Sequence, residues 1–191
     1  MTDKEYWNQR YITDKIGWDI GYPSTPIVEY CNQLKDRAVK ILIPGAGNSY
    51  EAEYLYKQGF TNVFVLDISE KAIASFKNRV GEFPNDQIIQ SDFFEFSGQF
   101  DLVIEQTFFC AIQPEQRDDY VNKMSELIRP KGKLVGLLFK FLLTEKGPPF
   151  GGSIEEYRSR FSKKINLLKI EDCYNSIKPR SGNEYFFMAQ K

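Results

Sequence analysis

Gly45 and Gly47 stand at the end of the apolar run 39–43, and Asp67 closes a second apolar run, 63–66, beyond them. Glycines let a backbone approach a ligand closely, and a carboxylate at the end of the following strand accepts hydrogen bonds from ribose hydroxyls. The pattern is that of a nucleoside-binding strand–loop–helix–strand unit. A pyrophosphate site asks for a third glycine at position 50 or 49, and these positions hold Tyr50 and Ser49. Bulk at a helix N-terminus obstructs a pyrophosphate. S-adenosylmethionine has none, so the glycine pair suffices for it. A nicotinamide-dependent oxidoreductase and a non-catalytic S-adenosylmethionine-binding module are the competing readings.

Further along, Asp92 follows the third apolar run and can accept from an adenine amino group while Phe93 packs on the ring. The segment from Glu105 to Cys110 follows the fourth run and should face the crevice where cofactor and acceptor meet. Core packing is expected of at least one of Phe108 and Phe109, and Cys110 reads as a small buried hydrophobe. The chain has no histidine, which excludes Ser-His and Cys-His nucleophile pairs, imidazole bases and His-ligated metals. Its three cysteines show no CxxC spacing, so no disulfide frame or zinc site is expected.

The elements needed to position these residues alternate along the chain. Strands are expected at 39–43, 62–66, 87–90, 100–105, 133–139, 165–172 and 184–190. Helices are expected at 3–15, 26–36, 50–58, 69–79, 114–128 and 153–163. Pro114 opens one helix, Pro130 and Gly132 stop it, and Ser153 with Glu156 has capping-box spacing. Alternation of this kind predicts an α/β fold with a mostly parallel sheet covered on both faces. The last two strands have no helix between them and suit an antiparallel pair. The expected architecture is therefore a Rossmann-like seven-stranded sheet with one antiparallel edge strand, in a single domain whose residues 1–37 cover the cofactor and whose residues 38–191 form the core.

Net charge is −1, which argues against a nucleic-acid surface. Its distribution is uneven: residues 1–128 hold 12 Lys/Arg against 20 Asp/Glu, whereas 129–191 hold 13 against 6. An acidic half suits a cationic cofactor, and a basic half an anionic acceptor. With no apolar run long enough for a membrane span and no signal-peptide pattern, a cytoplasmic monomer acting on a small molecule is expected.

Taken together, Trp7–Tyr11 with Gly17-Trp18-Asp19-Ile20-Gly21-Tyr22-Pro23, Ile43–Gly47, Leu66-Asp67-Ile68-Ser69, Phe108-Phe109-Cys110-Ala111-Ile112 and Gly147-Pro148-Pro149-Phe150 resemble the thiopurine S-methyltransferase superfamily, in its thiol and halide methyltransferase branch. The resemblance spans almost the whole chain. It implies S-adenosylmethionine-dependent methyl transfer to a thiolate, sulfide or halide by in-line displacement, with no protein general base. It places cofactor contacts on Trp7, Tyr11, Trp18, Gly45, Gly47, Asp67, Ile68, Asp92, Phe93 and Glu105. The acceptor pocket would hold Phe108, Phe109 and Phe150, and the substrate-contacting arginines are matched by Arg117 and more loosely by Arg180. The aromatic amino terminus would act as a lid, offering π faces to the sulfonium. Tyr11 stands where plant halide enzymes tend to carry Trp, and Phe150 where some relatives carry Tyr.

Overall fold

A computed structural model describes residues 3–191. In chain order the elements are α1 (Lys4–Ile12), α2 (Thr25–Asn32), β1 (Ile41–Pro44), α3 (Tyr50–Lys57), β2 (Val63–Asp67), α4 (Glu70–Arg79), β3 (Ile88–Gln90), β4 (Phe100–Glu105), α5 (Arg117–Leu127), β5 (Ile128–Phe139), α6 (Ile154–Phe161), β6 (Asn166–Asp172) and β7 (Glu184–Gln190). The sheet order is β3-β2-β1-β4-β5-β7-β6. The first five strands run parallel; β7 pairs antiparallel with both β5 and β6. The sheet is mostly parallel with an antiparallel edge region, as expected. In detail the reversed strand is β7, seated one position in, and β6 forms the edge.

The strands read as near-continuous apolar runs because both faces are covered. In β1, Leu42 joins one core with Tyr120 and Met124 of α5 and Phe161 of α6, whereas Ile41 and Ile43 join the other with Ile27 of α2, Leu55 of α3 and Phe76 of α4. Capping side chains start the helices: Asp3 accepts from Tyr6 N at 2.9 Å, Ser69 from Ala72 N at 3.2 Å and Ser153 from Glu156 N at 3.2 Å.

Three expectations need correcting. The helix expected at 114–128 begins as a 3-10 turn at Pro114–Gln116 and becomes α-helical only at Arg117. Pro130 and Gly132 do not lie before β5 but inside it, where the pairing with β4 shifts between Phe100 and Leu102 and Lys131 takes a φ of 67°. The irregularity removes the ladder bond that a proline cannot donate. Finally, α2 is not part of a lid: Ile27 and Cys31 are each 1% exposed and belong to the core.

Candidate active site

Beyond the carboxyl ends of β1, β2 and β4 lies a cavity of about 560 Å³. Its floor is the loop from β1 to α3, in which Gly45, Gly47 and Ser49 have φ of 57°, 56° and 54°. The structure sharpens the reason for both glycines. A Cβ on Gly47 would stand 2.8 Å from Tyr11 Oη, and one on Gly45 would fall 2.1 Å from Phe108 Cδ2. Gly45 is thus required by the Phe108 ring packed on it as well as by its left-handed backbone, whereas Gly47 is favoured chiefly by its left-handed backbone, since the Tyr11 hydroxyl lies at the end of a side chain that can shift.

Asp67 organises this floor. Its Oδ2 accepts from Gly47 N and its Oδ1 from Ser69 N, both at 2.8 Å. Burial raises its pKa against the pull of these N–H groups. The Ser69 hydroxyl donates to Asn8 Oδ1 at 2.8 Å, fastening α1 onto the start of α4. That attachment turns the face carrying Trp7, Arg10 and Tyr11 towards the cavity, the spacing of one helical stripe. Trp18 packs edge-on against Trp7 and Tyr11, with ring centroids at 5.4 and 6.0 Å, and the Arg10 guanidinium lies 5.4 Å from the Trp18 ring centroid. The Trp18 carbonyl accepts from Arg180 Nη2 at 2.7 Å, so the loop before β7 pins the aromatic segment from the other side. Burial, then the neighbouring Asp67, holds the Tyr11 hydroxyl well above its usual pKa and therefore neutral.

Of the residues anticipated from sequence, Trp7, Tyr11, Trp18, Gly45, Gly47, Asp67, Ile68, Asp92, Phe93 and Phe108 all line this one cavity. Asp92 also stabilises its own turn, accepting from Phe94 N at 2.7 Å. Four others do not line it. Glu105 is fully buried behind the wall: Oε1 accepts from Phe108 N at 2.8 Å and Phe109 N at 2.9 Å, and Oε2 from the Tyr120 hydroxyl. Phe109 packs in the core against Tyr120, Tyr157 and Phe161. Arg117 has no exposed surface; it bonds Glu156 Oε1 at 3.0 Å and the Gly151 carbonyl at 2.9 Å, with its guanidinium 4.7 Å from the Phe109 ring centroid. It braces the 150–151 backbone instead of facing an acceptor. Phe150 is turned inward at 5% exposure, and Pro148 and Pro149 line the cavity in its place.

Sequence reasoning missed Arg10, Asp19 and Asn48, whereas Gln106 belongs to the 105–110 segment expected to face the crevice and lines the cavity. Arg10 was readable, since it follows Trp7 by three positions on a helix. The others depend on where loops fold back. Asp19 accepts from Gly21 N at 2.7 Å, from the Tyr50 hydroxyl at 3.4 Å and from the Asn48 amide, tying the aromatic segment to the glycine loop. Arg10 Nε, Asn48 Oδ1, Gln106 Oε1 and Arg180 Nη1 are buried atoms without a hydrogen-bond partner, and all four belong to lining residues. Arg180 Nη1 lies 3.6 Å from Glu184 Oε1. Arg117 Nε and Glu184 Oε2, away from the cavity, are open as well, so it is the convergence of four such atoms on one cavity that suits a polar ligand.

The sequence profile of the thiopurine S-methyltransferase family matches residues 2–188. The chain belongs to that family. A probable thiol methyltransferase 2 of Arabidopsis thaliana is 29% identical over 93% of this chain and 81% of its own length. A thiocyanate methyltransferase 1 of Brassica oleracea is 28% identical over the same shares. Among solved structures, the Burkholderia thailandensis 1,6-didemethyltoxoflavin-N1-methyltransferase with bound S-adenosylhomocysteine shares the fold, with a TM-score of 0.77 at 16% identity over 98% of this chain and 86% of that one. The protein is an S-adenosylmethionine-dependent methyltransferase. Its cavity suits that group: Asp3, Asp19, Glu51, Asp67 and Asp92 line it against Arg10 and Arg180, an acidic excess fitted to a sulfonium cation. Among the described residues no helix is long and apolar enough to cross a membrane.

Proposed function

We propose that this methyltransferase acts on a small soft nucleophile, a thiolate, sulfide or halide, and uses no protein general base. The observation that carries the reading is one wall of the cavity. It is built from Phe108, Ala111, Ile112, Phe139, Pro148 and Pro149, with the Cys110 thiol and the Arg180 guanidinium among them. Burial, then Glu105, pushes the Cys110 thiol up to about 12, so it is neither thiolate nor base at neutral pH. Arg180 is a permanent cation. A thiolate, hydrosulfide or halide arrives already anionic and needs no proton acceptor beside it, so the carboxylates that line the cavity, Asp19, Glu51, Asp67 and Asp92 among them, are left to the cofactor.

Bound in the cavity, S-adenosylmethionine supplies an electrophilic methyl group, which the acceptor takes in line with the departing sulfur. Residues 3–22 form the lid: Trp7, Tyr11 and Trp18 present aromatic faces to the cation and exclude water. Asp67 accepts from the ribose hydroxyls with the lone pairs left over from Gly47 and Ser69. Ile68 and Phe93 hold the adenine faces, and Asp92 accepts from its amino group. Arg10 Nε and Asn48 Oδ1 satisfy the amino-acid end beside the backbone of Gly45 and Gly47. On the acceptor side, Arg180 Nη1 draws the anion while the apolar wall strips its water and raises its reactivity. The thiol and thiocyanate names of the relatives support such an acceptor.

The test is incubation with methyl-labelled S-adenosylmethionine and, separately, thiocyanate, hydrosulfide, iodide and thiophenol. Labelled methyl product from at least one is expected. No product from all four, with S-adenosylhomocysteine bound normally by calorimetry, would overturn the acceptor assignment.

A further inference from the structure

The segment 106–111 supplies Gln106, Thr107, Phe108, Cys110 and Ala111 to the cavity wall. Its backbone is not self-supporting. Thr107 sits at φ 57°, a left-handed conformation that a β-branched residue rarely adopts. Only a single 3-10 turn follows it, at Phe109–Ala111. What closes the turn is the Glu105 carboxylate, whose Oε1 gathers the N–H groups of Phe108 and Phe109 from the far side of Thr107. Its other oxygen receives the Tyr120 hydroxyl from α5. The backbone of β5 makes room for this residue at Gly136, where a Cβ would stand 2.4 Å from Glu105 Cβ. Phe108, set by this turn, is the ring that lies against Gly45.

We propose that Glu105 is a positioning residue for methyl transfer: from behind the wall, its two bonds to the Phe108 and Phe109 amides hold the 106–111 backbone in the shape that fits the acceptor. This rests on the acceptor reading above. The bonds come from Oε1, and Oε1 persists as an acceptor whether the carboxyl is ionised, protonated or replaced by an amide. The contact with Tyr120 is separate and serves the core.

Three variants separate these roles. Glu105→Leu removes both amide contacts, Glu105→Gln keeps them, and Tyr120→Phe removes only the core contact. With whichever of thiocyanate, hydrosulfide, iodide or thiophenol is methylated, Glu105→Leu should raise the acceptor KM about tenfold or more, the loss expected for one to two such bonds. The dissociation constant for S-adenosylhomocysteine should stay within about threefold, and Glu105→Gln and Tyr120→Phe should both keep the wild-type acceptor KM within about threefold. Equal losses of acceptor and cofactor affinity in Glu105→Leu, or an acceptor KM raised as far by Tyr120→Phe, would overturn the proposal. Amide hydrogen exchange decides it independently of turnover, also where Glu105→Leu does not fold or no acceptor is methylated. The Phe108 and Phe109 amides should keep wild-type protection in Glu105→Gln, whereas rapid exchange at both, with the sheet amides still protected, would refute it.

Discussion

Replacing Glu105 by glutamine should change how stability depends on pH, by an amount that follows from its burial. Removal from water disfavours the carboxylate and raises its pKa from 4.5 to about 7, although Tyr120 and the Phe109 and Phe108 amides pull it down. The folded chain therefore holds this proton more tightly than the unfolded chain does. The stabilisation is complete below about 4.5 and is lost as pH rises through about 7. At 1.36 kcal/mol per pKa unit the loss is about 3 kcal/mol. For a domain of this size that is roughly 6–12 °C of melting temperature. Glutamine keeps the shape and one acceptor oxygen but has no proton to lose. Buried Asp67 and Glu51 titrate in both proteins and cancel in the difference. Thermal unfolding at intervals from pH 4.5 to 8 should show the Tm of Glu105→Gln gaining on that of the wild type by this amount. Curves that stay parallel to within about 2 °C would mean that Glu105 titrates as an ordinary carboxyl and that its burial has been misjudged.

Other substitutions probe the lid, the floor and the frame. Trp7→Ala should weaken S-adenosylhomocysteine binding about tenfold in calorimetry, the scale of a desolvated cation–π contact together with its area, and leave the apo Tm nearly unchanged; a collapse of apo stability would make Trp7 structural. Gly45→Ala places a methyl group 2.1 Å from Phe108 Cδ2, so cofactor affinity and turnover should both fall sharply while circular dichroism stays native. Gly136→Ala meets the Glu105 carbonyl at 2.2 Å, and scanning calorimetry should show about 1–3 kcal/mol of destabilisation. Arg180→Met should raise KM for an anionic acceptor; because Arg180 also holds the Trp18 carbonyl, fluorescence of Trp18 should report a looser lid in the same variant.

Much of the fold was legible because its signals are local. Ile41–Pro44 is apolar on both faces and ends at glycine, and Ser69 and Ser153 carry their caps within three residues. The position of β7 was not legible: strand order depends on which edge is free when the chain returns, and no local spacing encodes it. The same divide runs through the site. Gly45, Asp67 and Asp92 sit where strands end, and a strand's end fixes which crevice its next residue faces. Phe109, Arg117 and Phe150 belong to motifs that looked like one pocket, yet a one-residue turn at Thr107 sends Phe108 to the cavity and Phe109 to the core. Arg117 follows Phe109 inward because Glu156 and the 150–151 carbonyls wait there. Asn48 became visible only through its Oδ1, a buried atom left without a partner.

The claim that the acceptor arrives already anionic is met most directly by competition within one scaffold. Thiophenol and phenol differ only in the atom attacked, and phenol, ionising at about pH 10, needs a base to match the thiolate. Offered together with methyl-labelled S-adenosylmethionine at neutral pH, they should yield label on sulfur alone. Label on oxygen at a rate comparable to that on sulfur would contradict the account, because a proton acceptor would then have to act on the substrate.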